Sequence, residues 1–577
     1  MSFSFHPSIL TTFRNRNTFR NSLNPKDLYQ REAEGTHMSF NSLYFIIFFL
    51  PLTLAAYYLT AAKSRAAADW VLVGASVIFY GFADVWYPVM LGILIAMNWG
   101  ITFMIRRSKA PSSPAAAERS AVAAADEAAA AASPARADNS PTANEDSLTA
   151  EGSASNGKRN GAEAAQRDSA KAWMILGVVV NVAILGVFKY TNFFIENLNA
   201  LLGADWATVN LILPLGISFI IFSQISWIVD SYRGSTKDVC LREYVVYSSF
   251  FPKLSQGPIT LMRDFLPQLR REDRHRFDDE SMMIGIQMFV CGLAKKILLA
   301  DVLGESVEWY FDMLEYQTNV DTYIILLTYV LQLYFDFSGY SDMALGVSKM
   351  LGFDLPANFN SPYKACSVTE VWKRWHISLT TFLREYVYFP LGGSRKGTAR
   401  TYLNIMIVYL VSGLWHGASW TYVLWGAMQG VAQSLEKAIG KFYFKIWKPI
   451  RWAITFAFVN VTWMIFRCGD LTTFRRFWWH LTVDKTWTLS ADLAANYRLP
   501  GIRLILSLVG LPSGDGFVNI LSLVLLLGLG LFIVLALPNN QERKYRSSIS
   551  SLLITAVLLC ICLLSLSSAS TFVYNDF

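Results

Sequence analysis

Apolar residues fall in long runs along this chain, and short polar or charged segments separate the runs. The first run begins at Met38. The others lie near 69–85, 87–105, 172–191, 211–230, 245–262, 282–300, 322–348, 402–414, 417–435, 452–467, 519–537 and 549–567. About 18 apolar residues suffice for a helix to cross a bilayer. The pattern predicts an all-α integral membrane protein with about eleven transmembrane helices, plus re-entrant and interfacial helices.

Composition supports a multi-pass protein of the cell membrane. Of the 577 residues, 53% are hydrophobic and only 16% are charged, which is low for a soluble protein of this length. The net charge of +7 is interpreted as Lys and Arg in cytoplasmic loops, not as a nucleic-acid-binding surface. By this rule the Arg106–Arg107, Lys437–Lys441 and Arg543–Lys544 segments should be cytoplasmic.

Two segments interrupt the apolar pattern. Residues 107–170 are rich in Ala, Ser and mixed charge, which predicts a disordered cytoplasmic linker. Residues 1–37 carry five basic side chains, yet the charge rule places the first span's N-terminus outside. We therefore expect translation to start at Met38, with 1–37 a non-native or disordered extension. The remaining organisation is first spans in 38–106, a central region of further spans in 171–467, and two further transmembrane helices in 468–577.

One histidine lies within the apolar pattern, in the stretch SGLWHGASW. Gly413 and Gly417 flank His416 at the four-residue spacing that lets helices approach closely. Ionisable side chains at membrane depth usually face a cavity or the bundle interior and are functional. The alternative is a packing histidine bonded to a carbonyl of a neighbouring helix.

A second histidine lies in SVTEVWKRWHISLTTFLREYVYFPLGG. A capping box at Ser367 and Glu370 predicts one amphipathic helix, with Trp372 and His376 on the same face. Such a helix lies at the membrane interface or lines an aqueous cavity. His376 alone is equally well interpreted as an interfacial histidine with a satisfied hydrogen bond.

Other polar residues also lie within apolar runs. The stretch QLYFDFSGYSDMALG carries Asp336, Ser338, Tyr340 and Asp342, and FFPKLSQGPI carries Gln256 in a segment suited to re-entry. Two carboxylates at this depth should pair with basic groups, so a structural network is favoured over catalytic acids. The sequence contains no zinc-protease, nucleophile-elbow or nucleotide-binding motif, and a metal site is not predicted.

Four stretches, WKRWHISLTTFLREYVYFPLGG, GLWHGASWTYVLWGAMQG, YFDFSGYSDMALG and FPKLSQGPI, resemble the signature segments of bacterial membrane-bound O-acyltransferases. The likeness is greatest to the membrane subunit of alginate O-acetyltransferase systems. The resemblance implies a ring of helices around a central tunnel, with 171–467 as the catalytic core. It also makes Gln256, Asp336, Ser338, Tyr340 and Asp342 candidates for lining that tunnel. It also implies that His416 is the essential catalytic histidine and that His376 belongs to the same site.

The resemblance further implies a reaction. A cytoplasmic acyl thioester such as acetyl-CoA would enter the tunnel, and no cofactor would be bound. The acyl group would pass to an extracytoplasmic SGNH-type partner and then to a polysaccharide. His416 would act as the base, His376 would support the donor entrance, and Trp372, Trp375 and Trp415 would form water-excluding walls. The alternatives are peptidoglycan, teichoic acid or a lipid as acceptor, or a transporter of glycan or acyl groups that performs no chemistry.

Overall fold

The computed structural model describes residues 38–109, 151–499, 501–540, 542, 543, 545, 548–566 and 572. The described residues form helices, turns and loops, with no β-strand among them. The predicted extension 1–37 and residues 110–150 of the predicted linker lie outside the described residues.

Among the described residues of the N-terminal half, eleven α-helices are present, up to the long central helix α11. They are α1 (Leu50–Ala61), α2 (Arg65–Gly81), α3 (Trp86–Lys109), α4 (Glu151–Leu202), α5 (Ile217–Arg233), α6 (Leu241–Ser249), α7 (Phe251–Leu254), α8 (Met262–Arg270), α9 (Asp279–Ala294), α10 (Asp301–Asp312) and α11 (Asn319–Met350). A π-helical turn, Lys295–Ala300, joins α9 to α10.

Ten further α-helices follow in the described part of the C-terminal half. They are α12 (Val368–Arg374), α13 (Ile377–Leu383), α14 (Thr398–His416), α15 (Trp420–Tyr443), α16 (Lys448–Arg467), α17 (Leu471–Thr482), α18 (Ala491–Asn496), α19 (Ile502–Leu508), α20 (Asp515–Ala536) and α21 (Ile549–Ser565). A π-helical turn, Arg384–Tyr388, extends α13.

Six described helical segments are long and apolar enough to cross a membrane. They are Trp86–Lys109, Gln166–Leu202, Asp279–Asp312, Asn319–Met350, Lys448–Arg467 and Asp515–Ala536. Phe45–Ala61 and Ile549–Ser565 are apolar but shorter. The structure therefore agrees with an all-helical, multi-pass membrane protein.

Helices occupy the described residues at both ends of the predicted linker, whose disorder stays a prediction for the rest of the segment. Helix α3 continues to Lys109, and α4 already begins at Glu151, so both helices extend into the predicted linker 107–170. Ala170 is fully buried. Residues 151–170 contain five alanines, three lysines or arginines and no proline, so an existing apolar helix can propagate through them.

Helix α11 lies at the centre of the fold, and nearly all of its side chains from Thr328 to Met350 are buried. Helices α9 and α11 touch backbone to backbone. A Cβ added at Gly292 would lie 2.5 Å from the carbonyl oxygen of Gly339, so any side chain there would separate the two helices. This contact fixes the position of α11 along its own axis relative to α9. It therefore also fixes the level at which the polar side chains of α11 lie.

Two predicted segments are broken in the structure. The run 245–262 forms α6, the single turn α7 and a buried non-helical stretch, as a re-entrant segment would.

The predicted single helix from Ser367 to Pro390 is wrong, because Trp375 and His376 leave helical geometry and separate α12 from α13. Tertiary packing overrides the helical periodicity there, and the break buries His376.

Candidate functional site

His416 is the last residue of α14 and is 4% exposed. The helix ends there because Gly417 is extended, with φ −166°. A Cβ on Gly417 would lie 2.0 Å from the ring of Tyr422, so only glycine permits the turn. The side chain of Ser419 then caps α15 by accepting a hydrogen bond from the Thr421 amide. The WHGAS sequence therefore places His416 at the tip of a helical hairpin.

The two helices of this hairpin are in close contact. A Cβ at Gly413 would lie 2.2 Å from the carbonyl oxygen of Tyr422 on α15. The predicted close approach at Gly413 is therefore confirmed. Gly417 lies beyond the end of α14, so it is not a second close-contact position on that helix. Its role is to end the helix.

Three aromatic rings surround the imidazole of His416. The ring centroids of Trp415, Trp425 and Phe466 lie 4.8, 5.3 and 4.9 Å from the imidazole centroid, each in edge-on geometry. Such walls exclude bulk water and fix the plane of the imidazole. The site is thus rigid and apolar around one titratable group.

Helix α4 holds the end of α14 through hydrogen bonds to its last carbonyl groups. The Lys189 ammonium donates to the carbonyl oxygens of Trp415 and His416, at 2.7 Å each. The Tyr190 hydroxyl donates to the carbonyl of Leu414. Carbonyl groups at a helix C-terminus have no partner within the helix, and a cation there also complements the helix dipole. Lys189 is therefore a positioning residue for His416.

Sequence reasoning did not identify Lys189. The signal was available, because Lys189 is a lone basic residue near the end of the apolar run 172–191. Ionisable residues within such runs are functional candidates. What the sequence cannot supply is its partner, which lies 226 residues further along the chain.

His376 lies between α12 and α13 in a left-handed backbone conformation, with φ 44°. This conformation costs a non-glycine residue about 1–3 kcal/mol and occurs preferentially at functional sites. Asn358 stabilises the turn, since its carbonyl accepts from the Ile377 amide and its side-chain oxygen accepts from the Ser378 hydroxyl. The backbone of His376 is thus held in an unfavourable conformation by the hydrogen bonds that Asn358 accepts.

The expected interfacial position of His376 is wrong. Its side chain is 0% exposed, and neither ring nitrogen has a hydrogen-bond partner among the described residues. Its imidazole centroid lies 4.8 Å from the Phe337 ring and 6.0 Å from the Trp415 ring. The indole of Trp415 therefore contacts both histidines, and the structure brings His376 and His416 into one aromatic cluster.

A cavity of about 590 Å³ approaches this cluster from one side; we call it the Ser412 cavity. Its deep end is lined by buried Trp372, Leu379, Tyr409 and Ser412. Ser412 lies one helical turn before His416 on α14, and Trp372 contacts Trp425, which contacts His416. The described residues that line the cavity include neither His376 nor His416, and Trp425 separates the cavity wall at Trp372 from the His416 ring.

The opposite end of the Ser412 cavity is basic. Lys373, Arg384 and Lys437 line it and are all exposed, and Glu436 and Phe444 lie beside them. The Glu436 carboxylate is buried and accepts a hydrogen bond from the Thr369 amide. A cationic mouth leading to an apolar interior suits a ligand with a phosphorylated end and a neutral chain.

The three predicted tryptophans have different positions. Trp372 lines the Ser412 cavity, and its indole donates to the Gln429 side chain at 3.2 Å. Trp415 lies between the histidines. Trp375 is 1% exposed and packs against Phe359 and Trp463. It therefore contributes to the packing around the cluster.

Asp336 and Asp342 of α11 form buried ion pairs with consecutive lysines of the π-helical turn. Lys296 Nζ lies 2.7 Å from Asp336 and 2.9 Å from Asp301, and Lys295 Nζ lies 2.5 Å from Asp342. The π-helical geometry directs both lysines towards α11. The expected pairing of Asp336 and Asp342 with basic groups is therefore confirmed, and a purely structural role for them stays a prediction.

Replacing Lys296 with methionine is expected to destabilise the protein by about 3 kcal/mol, because the Asp336 carboxylate loses its buried counter-ion. Thermal unfolding in detergent measures this. The double variant Lys296→Met, Asp336→Leu should recover most of the loss, since it removes both charges. A single variant as stable as the wild-type protein would contradict a structural role for the pair.

The remaining predicted tunnel residues are buried in the packing around α11. Tyr340 shares a 2.5 Å hydrogen bond with Ser255, which attaches the non-helical stretch after α7 to α11. Gln256 is 4% exposed and Ser338 is 1% exposed. The described residues that line the Ser412 cavity include none of Gln256, Asp336, Ser338, Tyr340 and Asp342. Their role in a tunnel stays a prediction.

The fold and the site together define a multi-pass membrane protein with an enclosed two-histidine centre. Residues 183–469 match the family model for the membrane-bound O-acyltransferase family. That match contains both histidines, Lys189 and every residue that lines the Ser412 cavity.

Curated relatives match over most of the chain. A protein described as a probable alginate O-acetylase of Azotobacter vinelandii is 35% identical over 78% of this chain and 80% of its own length. A peptidoglycan O-acetyltransferase of Helicobacter pylori is 32% identical over 75% of this chain and 77% of its own. A teichoic acid D-alanyltransferase of Bacillus subtilis is 28% identical over 44% of this chain and 69% of its own. The chain belongs to the membrane-bound O-acyltransferase family, and it is an acyltransferase.

Proposed function

We propose that this enzyme takes an acetyl group from acetyl-CoA, or a similar thioester, at the cytoplasmic face and passes it across the cell membrane for O-acetylation of an extracytoplasmic polysaccharide. The single observation that carries the proposal is the Ser412 cavity, whose lining combines exposed basic side chains with buried residues that lie next to the histidine cluster. The proposed architecture is a ring of about eleven transmembrane helices, with this cavity as the donor half of a central tunnel.

The dimensions and charges of the cavity fit such a donor. Lys373, Arg384 and Lys437 supply positive charge for phosphate groups, and Lys and Arg are the usual phosphate-binding side chains. The apolar interior accommodates an uncharged thioester arm and keeps water from hydrolysing it. The acyl carbon would arrive below His416, at the level of Ser412.

The reaction needs a base at that point. A hydroxyl group is a weak nucleophile until a base takes its proton. In the proposed step, the imidazole of His416 accepts the acceptor's hydroxyl proton while the oxygen attacks the thioester carbonyl. The C–S bond then breaks, an ester forms, and the departing thiolate takes the proton from the imidazolium. His416 is thereby regenerated.

An alginate-type polysaccharide is the proposed acceptor, reached through an SGNH-type partner outside the membrane. The relative of Azotobacter vinelandii supports this choice over 78% of the chain. The second candidate is peptidoglycan, favoured by the relative of Helicobacter pylori, which is nearly as similar. Membership of an acyltransferase family disfavours the transporter alternative.

Deletion of the gene and complementation test the acceptor. Ester-linked acetate is measured separately on the secreted polysaccharide and on peptidoglycan fragments by mass spectrometry. Loss of acetate from the polysaccharide alone, restored by the wild-type gene, is the expected result. Loss confined to peptidoglycan establishes the second candidate, and unchanged acetate on both refutes the proposed function.

Reversing the charge of the cavity mouth is expected to weaken donor use. The variant Lys373→Glu, Arg384→Glu, Lys437→Glu should raise the KM for acetyl-CoA by on the order of tenfold or more, with a smaller change in kcat. The matched control is Lys441→Glu, one turn further along α15, which does not line the cavity. Steady-state kinetics at two salt concentrations provide the measurement. Equal KM values in the triple variant and the control would rule out phosphate binding at this mouth.

A further inference from the structure

A second cavity of about 850 Å³ lies among α9, the π-helical turn Lys295–Ala300, α20 and α21; we call it the Arg543 cavity. The described residues that line it include none of those lining the Ser412 cavity. Neither the family membership nor the proposed acyl transfer assigns it a ligand.

Most of the wall of the Arg543 cavity is aliphatic and belongs to apolar helices. Leu526, Leu529 and Ile533 on α20 face Leu558 and Ile561 on α21 across it. Helix α20 meets the length and hydropathy expected of a membrane span. The cavity therefore lies at the depth of the hydrocarbon chains, where water cannot fill it favourably.

One end of the cavity is polar and positively charged. Arg543 is exposed, and its guanidinium contacts the sulfur of Cys291 at 3.6 Å. Asn539 is 7% exposed, and its side-chain amide nitrogen is buried without a hydrogen-bond partner among the described residues. A buried donor of this kind costs free energy unless a ligand accepts its hydrogen bond.

The nearby charges leave a net positive charge at this end. Lys295 also lines the cavity, but its charge is balanced by Asp342 at 2.5 Å. The Glu542 carboxylate accepts from the Ser361 hydroxyl and the Asn539 backbone amide and lies 3.9 Å from Lys364. Arg543 and the Asn539 amide therefore remain as donors for an anionic acceptor.

We propose that the Arg543 cavity binds an anionic phospholipid of the surrounding bilayer. Its headgroup phosphate accepts hydrogen bonds from the Arg543 guanidinium and the Asn539 amide, and its acyl chains lie between α20 and α21. Basic pockets between membrane helices on the cytoplasmic side bind such headgroups, and Arg pairs with phosphate through two parallel hydrogen bonds. Free phosphate would leave the aliphatic part of the cavity empty, which is why a lipid is the occupant.

The test measures lipid retained by the full-length protein. The protein is purified in mild detergent, and bound phospholipid is counted by native mass spectrometry, with phosphatidylglycerol and phosphatidylcholine added as competitors. The wild-type protein should retain phosphatidylglycerol in preference to phosphatidylcholine. Arg543→Gln should reduce this retention about tenfold, because a charge-assisted hydrogen bond to the phosphate is lost.

Two further variants make the result specific. Leu529→Trp fills the aliphatic wall and should also lower retention, whereas Arg395→Gln removes an exposed arginine that does not line the cavity and should not. Arg543 is exposed, so its substitution should leave the thermal unfolding midpoint unchanged. Retention that is equal in all variants, equal for the two lipids, or abolished by inorganic phosphate alone overturns the proposal. These binding measurements do not depend on the acyl-transfer assay.

Discussion

Replacing His416 with glutamine is expected to lower acyl transfer by about 10²–10⁴-fold, while the protein still inserts and folds. This is the contribution typical of a positioned general base. Glutamine keeps a polar side chain within the cage of Trp415, Trp425 and Phe466 but cannot accept a proton at neutral pH. The measurement is single-turnover transfer of radiolabelled acetyl groups by purified protein.

His480 provides the matched control for this substitution. It is also a buried histidine, 6% exposed, but it lies on α17 and its ring contacts Asp484 at 3.3 Å. His480→Gln should therefore leave the rate nearly unchanged. His376→Gln should reduce the rate by less than His416→Gln, since His376 is assigned the supporting position. A rate for His416→Gln above a few per cent of wild type would remove His416 from the catalytic role.

Periodicity and polarity predict the membrane class well, but they do not show that the helix ends at His416. Long apolar runs leave few alternatives to helices in a bilayer, because backbone groups there must be hydrogen-bonded internally. The expected pairing of Asp336 and Asp342 follows from the same physics, since a buried carboxylate requires a counter-ion. Even so, the choice of Lys295 and Lys296 as partners depends on a π-helical turn that hydropathy does not reveal.

The errors arose where tertiary contacts determine the backbone. His376 belongs to a helical pattern, but hydrogen bonds from Ile377 and Ser378 to Asn358 bend the chain into a left-handed turn. The pattern of apolar positions cannot show this turn, because Asn358 lies about twenty residues away and meets Ile377 and Ser378 only in the folded chain. The same limit hid the partner of Lys189, because the carbonyl groups that it binds lie at the distant end of α14.

Replacing Lys189 with methionine is expected to lower kcat by on the order of 10²-fold, with little change in the KM for the donor. Methionine keeps the apolar length of the side chain but loses both 2.7 Å hydrogen bonds to the carbonyls of Trp415 and His416. The end of α14 then lacks its cap, and a displacement of about 1 Å at a reacting group can cost this much. Steady-state kinetics separate this result from a loss of donor binding, which would appear in KM.

Two further variants distinguish positioning from a general loss of structure. Lys189→Arg retains a cation with several donors and should restore part of the lost kcat, because a guanidinium can also bind two carbonyl oxygens. Lys171→Met removes an exposed lysine from the same helix α4 and should have no effect. Unchanged kcat in Lys189→Met, or a rise in KM alone, would show that the end of α14 does not need this lysine. A common fall in kcat for both methionine variants would instead indicate that α4 is generally disturbed.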